Sequence, residues 1–348
     1  MYPRDAVTPP AESEMRRIVA CARWTGLLGF AVLSAGCEQR PAGRAKESPA
    51  SQAAAGVGQT LTVGFSQVGA ESAWRTAETE SIRAEARARG INLKFSDAQQ
   101  KQENQIKALR AFIAQKVDAI ILAPVVETGW EPVLKEARRA GIPVILVDRG
   151  VADVDETLYE TLIASDFVAE GRMAGEWLAE RLQGRGNIVE LQGTVGAAPA
   201  IDRKRGFEEA LARYPELKIT KSQSGDFTRA KGKEVMEAFL KAAGEKIDAV
   251  YAHNDDMALG AIQAIEQAGL RPGVDILVVS IDAVRGAFEA LIAGKLNATV
   301  ECNPLLGPAA FDAVEAVRRG AKLDRWIKVQ DRLFEQPQAA ELIGTRQY

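Results

Sequence analysis

The feature that most constrains this chain is a regular alternation of short apolar runs with helix-period segments. From Leu61 onward, "LTVGFSQV", "INLKFSDA", "AIILAP", "IPVILVD" and "TLIASD" each stand a helix length apart. Between two of them, residues 102–115 carry Ile106, Leu109, Phe112 and Ile113 on one side, the spacing of a helix packed on a sheet face. Strands separated in this way build βαβ units and a parallel sheet. A second series follows, "NIVELQG", "LKITKSQ", "DAVYAHN", "DILVVSID" and "NATVEC", so the chain carries the same plan twice. A faint repeat accompanies it: "KVDAIILAPV" at 116–125 aligns without a gap to "KIDAVYAHND" at 246–255. Each copy leads through a helix into a strand ending in aspartate, Asp148 or Asp282. So short a match also arises by chance between ordinary βαβ units, but the shared topology favours two similar α/β lobes, each a doubly wound parallel sheet. Open sheets of this kind bind ligands at strand carboxyl ends, which places Asp148 and Asn254 to Asp256 on opposite walls of one cleft.

Composition bears on what such a chain can do. With 348 residues, 47% hydrophobic, 26% charged and a formal net charge of -3, it is long enough for a large core in two lobes. Lys and Arg are scattered through helix-like segments, which argues against a nucleic-acid partner. Residues 1–36 have the layout of an export signal: Arg16, Arg17 and Arg23, the apolar stretch Trp24 to Leu33, then small residues before Cys37. Ser34 to Cys37 is also similar to a bacterial lipoprotein processing site, which would make Cys37 a lipid-bearing first residue, with Ser34 where Leu is usual. Plain export with cleavage nearby is the alternative, and Met15 is as good a start as Met1. Residues 37–58, rich in Pro, Ala, Ser and Gly, read as a flexible tether. Cys21 lies in the signal and Cys37 at its end, so Cys302 is left alone and no disulfide framework is available.

The expected strand ends collect Ser66, Gln67, Asp148, Arg149, Asn254, Asp282 and the pair Cys302-Asn303. They mix donors with acceptors and contain no catalytic constellation. His253 is the only histidine and no serine sits in a nucleophile elbow, so His253 reads as a packed, hydrogen-bonded residue rather than a catalyst. Metal-ligand spacings and phosphate-binding glycine loops are absent from the sequence, and no cofactor is called for. Trp74 in "GAESAWRTAE" and Phe227 in "SQSGDFTRAKG" fall where a cleft would use a flat ring. Beside Asp, Arg and Asn, such rings suit a small polyhydroxylated ligand, although Trp74 could equally be core. Arg203 in "AIDRKRGFEEAL" sits near a helix start, where a cation opposes the macrodipole unless something anionic or hydrogen-bonding faces it. Asp255 and Asp256 fall in a first helical turn, where negative charge is favourable, and Asn254 is expected to touch ligand.

Together, "DR" at 148–149, "GTVGAAPAIDRKRGF", "QSGDFTRAKG", "AHNDDMALGAIQAI" and "SIDAVRGAFEAL" resemble the periplasmic sugar-binding proteins of ribose and galactose type. Within that family, "QQKQENQIKA", "APVVETGWEPVLKEA" and "SQSGDFTRAKGKEVME" are similar to the galactofuranose-binding branch of ABC importers. The resemblance spans Leu61 to roughly the C-terminus. It implies the type I periplasmic-binding-protein fold, with residues 59–164 and 303–330 in one lobe and 165–302 and 331–348 in the other. Three hinge crossings are implied, near residues 164–166, 302–303 and 331. It further implies that Asp148, Arg149, Arg203, Asn254 and Asp282 bind sugar hydroxyls, Trp74 and Phe227 stack, and Arg75, Ser66 and Gln67 assist. Cys302 stands where ribose-type proteins carry Gln, which argues against ribose itself. The implied protein is a monomeric, non-enzymatic periplasmic receptor delivering a monosaccharide to an ABC permease. A sensory protein reporting the same sugar to a membrane kinase or chemoreceptor would look identical in sequence.

Overall fold

The computed structural model describes residues 60–242, 244 and 246–348. The export signal, Cys21, Cys37 and the tether lie outside the described residues.

One sheet is built from β1 (Thr62–Gln67), β2 (Asn92–Asp97), β3 (Ala119–Leu122), β4 (Val144–Val147), β5 (Thr161–Ala164) and β11 (Trp326–Lys328), in the order β2-β1-β3-β4-β5-β11. The other contains β6 (Arg185–Gln192), β7 (Glu216–Ser224), β8 (Ala249–Ala252), β9 (Leu277–Asp282), β10 (Ala298–Glu301) and β12 (Leu333–Phe334), in the order β7-β6-β8-β9-β10-β12. Every pairing is parallel except that of β12 with β10. Both sheets thus have the same winding, and the aligned sequence repeats become the equivalent central strands β3 and β8. The strand "AIIL" of β3 and "VILV" of β4 are buried throughout, as expected for strands covered by helices on both faces.

In the first lobe the connecting helices are α1 (Ala73–Ala88), α2 (Gln102–Ala114) and α3 (Glu131–Arg139). The second lobe has α4 (Phe167–Arg181), α5 (Ala198–Leu211), α6 (Arg229–Lys241), α7 (Asp255–Gln267) and α8 (Arg285–Ile292). The chain then returns to the first lobe with α9 (Gly307–Arg318), which packs on α1, and ends in the second with α10 (Gln336–Leu342) against α8. It therefore passes between sheets three times: after β5, after β10, and between β11 and β12. The first and third passages are tied to each other, since Ser165 Oγ donates to Asp331 Oδ1 at 3.0 Å.

Two details depart from expectation. Strands β11 and β12 carry no sequence signal, being too short to show a period. The buried face of α2 centres on Gln105, Ala108, Leu109 and Phe112, while Ile106 and Ile113 stand at its margin. Gln105 is admitted because both ends of its amide are satisfied: Nε2 donates to the Ala123 carbonyl at 2.7 Å and Oε1 accepts from Val125 N–H at 2.8 Å.

Candidate functional site

Between the carboxyl ends of the two sheets lies a tight cavity of about 20 Å³. Its lining comprises Trp74, Arg75, Asp148, Arg149, Arg203, Phe227, Asn254 and Asp282, together with Glu71, Ser72, Pro199 and Cys302. Half of these side chains are charged, a chemistry suited to a small polar ligand.

The first-lobe wall is a chain of ion pairs. Arg75, in the first turn of α1, directs Nε at Glu71 (3.1 Å), Nη1 at Glu78 and Nη2 at Asp148 (2.6 Å). Burial works against its charge, yet Asp148, Glu78 and Glu71 outweigh it and raise its pKa. Arg149 donates from Nη1 to the Val125 carbonyl at 3.0 Å and lies over the Phe227 ring at 5.3 Å. Burial, and then the neighbouring Arg75, bring its pKa down to about 10. Asp148 reaches this position through a positive φ of 60°, with Arg149 N–H closing back on the Val147 carbonyl at 2.7 Å. A short polar side chain tolerates that backbone better than most.

On the second-lobe wall, Arg203 donates from Nε to Glu170 (2.7 Å) and from Nη1 to the His253 carbonyl (2.6 Å), with Nη2 at 3.6 Å from Asp282. Its charge resists burial because Glu170 and Asp282 face it, and its pKa is raised. The Asp282 carboxyl is pushed well up by burial despite Arg203, with Asp255 and Glu170 adding to the rise. Helix α5 starts at Ala198 with Pro199 in its first turn, so Arg203 lies in the second turn, where the macrodipole has largely faded. The expected conflict with the helix dipole is therefore small. Close helix contact sets its height: a Cβ on Gly171 of α4 would stand 2.0 Å from the Arg203 carbonyl oxygen. Phe227 is seated in the same way, its ring occupying the space where Gly193 has no side chain, 1.9 Å from an ideal Cβ.

Asn254 caps α7, accepting from Met257 N–H at 3.0 Å while Nδ2 donates to the Phe227 carbonyl at 3.1 Å. It thus joins the cap to the aromatic wall. Asp255 points away from the cavity and accepts from Thr299 Oγ1 and Val284 N–H, both at 2.8 Å, and from Ser280. It pins the chain at the end of β9, where Asp282 and Ala283 have positive φ. His253 is fully buried, with Nε2 3.0 Å from Glu190 and Nδ1 accepting from Gly193 N–H, the packed role expected for it.

Ser66 and Gln67 lie outside the lining. Strand alternation sends Gln67 toward α1, where Nε2 donates to Glu78 (2.9 Å) and Thr79 (3.0 Å), and turns Ser66 to the opposite face. Gln67 instead supports the carboxylate that faces Arg75. Among the lining residues not foreseen, Glu71 had a signal, since it stands one helical turn before Arg75. Ser72 and Pro199 had none, while Cys302 lines the cavity as one of the expected strand ends. The Cys302 thiol is held neutral, its pKa raised by burial and by Glu170. Two buried atoms on the lining, Glu71 Oε2 and Arg149 Nε, make no hydrogen bond within the protein, although Arg149 Nε lies 3.5 Å from Asp148 Oδ2. Such orphans cost about 1 to 3 kcal/mol each unless a ligand or water meets them.

A titrating carboxyl sits at the hinge itself. Asp331 is pushed up to about 8 by burial and by Glu170, while the Ser165 hydrogen bond and Arg203 oppose the rise. Unfolded, the group titrates near pH ~4, so between those values the folded protein holds the extra proton. Its stabilising contribution is complete below about pH 4 and is lost as pH rises toward 8. Thermal unfolding at pH 5 and pH 8.5 should therefore show a fall in the wild type that Asp331→Asn flattens. Parallel curves for the two proteins would dismiss the linkage.

Two lobes wound alike, crossed three times by the chain and meeting at a small polar cavity define a hinge-bending binding protein. The chain belongs to the periplasmic binding protein domain family, which matches residues 63–322. It is 55% identical over 284 residues to the galactofuranose-binding protein of Escherichia coli, covering 81% of this chain and 89% of that protein. The periplasmic binding protein of the arabinose ABC transporter from Shewanella sp. ANA-3, solved with α- and β-L-arabinofuranose, is similar at 59% identity and a TM-score of 0.80, covering 82% and 96% of the two chains. A Mycobacterium smegmatis structure in complex with β-D-fucofuranose is similar at 53% identity and a TM-score of 0.81, covering 83% and 96%.

Proposed function

We propose that this protein is the periplasmic solute-binding component of an ABC sugar importer and closes around one monosaccharide in its furanose form, most simply galactofuranose. The observation that carries this reading is the common ligand class of its relatives: at 53% to 59% identity, their names or bound ligands are furanoses. In this reading Asp148, Arg149, Arg203, Asn254 and Asp282 hold the hydroxyls, Glu71 Oε2 and Arg149 Nε finding their partners there. Trp74 and Phe227 cover the C–H faces, and Arg75 orients Glu71 and Asp148. Residues 59–164 with 303–330 move against 165–302 with 331–348. The closed monomer would present both lobes to a membrane permease. A sensory role has less behind it: its likeness is to the fructose-binding periplasmic domain of a hybrid two-component system, at 28% identity.

Ring form is the discriminating property, because a hydroxyl misplaced between furanose and pyranose leaves a buried polar group unpaired at about 1 to 3 kcal/mol. Calorimetric titration with D-galactose, L-arabinose and D-ribose tests the reading. Galactose and arabinose should bind with an apparent stoichiometry set by their furanose fraction, and ribose should bind at least tenfold more weakly. Heat from pyranose-locked methyl galactopyranoside equal to that from galactose would overturn the furanose assignment.

A further inference from the structure

The lobes touch at a point the ligand cavity does not use. Asp256, in the first turn of α7, is buried, and its Oδ2 accepts a hydrogen bond from Ala73 N–H at 2.7 Å. Ala73 is the first residue of α1, in the other lobe, and neither residue lines the cavity. Ser72 caps the same helix from within its own lobe, accepting from Arg75 N–H at 3.1 Å. Ala73 N–H is one of the first-turn donors that no intrahelical carbonyl can satisfy. The second oxygen of Asp256 is held by Arg229, at 3.0 Å from Nε and 2.8 Å from Nη2. Arg229 is exposed and lies in the same lobe as Asp256, so this pair can persist when the lobes part. Closure then docks a carboxylate already oriented onto a helix N-terminus, gaining a charge-assisted hydrogen bond and a favourable dipole contact with little reordering. On another edge of the cleft a bond joins the backbones alone, Glu127 N–H to the Gly196 carbonyl at 2.9 Å.

We propose that Asp256 is an affinity-determining latch: it stabilises the closed form by capping α1 across the cleft, without touching the sugar. The proposal rests on the solute-binding reading for its effect on affinity. A ligand that binds the closed form gains whatever favours closure, so removing the latch weakens apparent binding while leaving the lining intact.

The structure supplies an unusual control. Ala73 is the N1 position, where proline is well accepted, and Ser72 before it is already extended at φ -142°, ψ 163°. Ala73→Pro therefore deletes the donor, fills its place with a ring carbon and keeps the helix. Asp256→Ala and Ala73→Pro should each weaken L-arabinose and D-galactose binding about tenfold, the scale of one charge-assisted bond. The double variant should be no worse than either single one. Additive losses, or no loss in either single variant, would overturn the latch. If the wild type binds neither sugar, the solute reading fails by itself, and the latch is still read by hydrogen exchange. The residue 73 amide should exchange more slowly in the wild type than in Asp256→Ala, and equal rates would overturn it.

Discussion

Arg203→Ala should abolish sugar binding and lower the thermal midpoint by roughly 5 to 10 °C. The guanidinium is the cation that faces Glu170 and Asp282 on the second-lobe wall, and Glu170 is completely buried. Removing one partner of a buried pair costs about 3 to 5 kcal/mol, because the remaining carboxylate is left without compensation. In a protein larger than about 250 residues, each kcal/mol moves the midpoint by at most about 2 °C. Arg203→Lys separates the two effects. It restores a positive charge but cannot supply the planar fork that serves Glu170, the His253 carbonyl and Asp282 together. Scanning calorimetry should show most of the stability returning in the lysine variant, and titration calorimetry should show that affinity does not. An alanine variant that binds galactose as the wild type does would remove Arg203 from the site.

The second large effect is expected at Trp74. Its indole is buried among side chains of the second lobe's core although α1 belongs to the first lobe, and Nε1 donates to the Cys302 carbonyl at 2.6 Å. Arg75 lies over the ring at 4.8 Å. Trp74→Ala removes a wall of the cavity, a cation–π contact and a hydrogen bond to the hinge, so affinity should fall by more than about a hundredfold. Trp74→Phe keeps a ring and loses the hydrogen bond, and a loss of about tenfold is expected. Equal affinity of the phenylalanine and wild-type proteins would mean that the bond to Cys302 does not contribute to closure.

Much of this architecture was legible before any coordinate. Apolar runs at helix-length intervals permit little except parallel βαβ units, and all ten runs quoted from the sequence are strands β1 to β10. Polar residues at the ends of those runs had to gather at the sheet edges, which is why Asp148, Arg149, Asn254 and Asp282 share a cavity with Trp74, Arg75, Arg203 and Phe227. Position along a strand does not reveal the direction of its last side chain. Ser66 and Gln67 therefore looked equivalent to Asp148, although alternation directs them to the two faces of the sheet.

Sequence alone determined the repeated α/β plan and the set of strand-end residues, because periodicity and strand order are local properties of the chain. Tertiary structure decided what those residues do to one another. The pairing of Arg203 with Glu170, the seating of Phe227 on Gly193 and the cap that Asp256 places on α1 join positions 33, 34 and 183 residues apart. Their energies depend on burial and on separations of a few ångströms, which exist only once the lobes have folded and met.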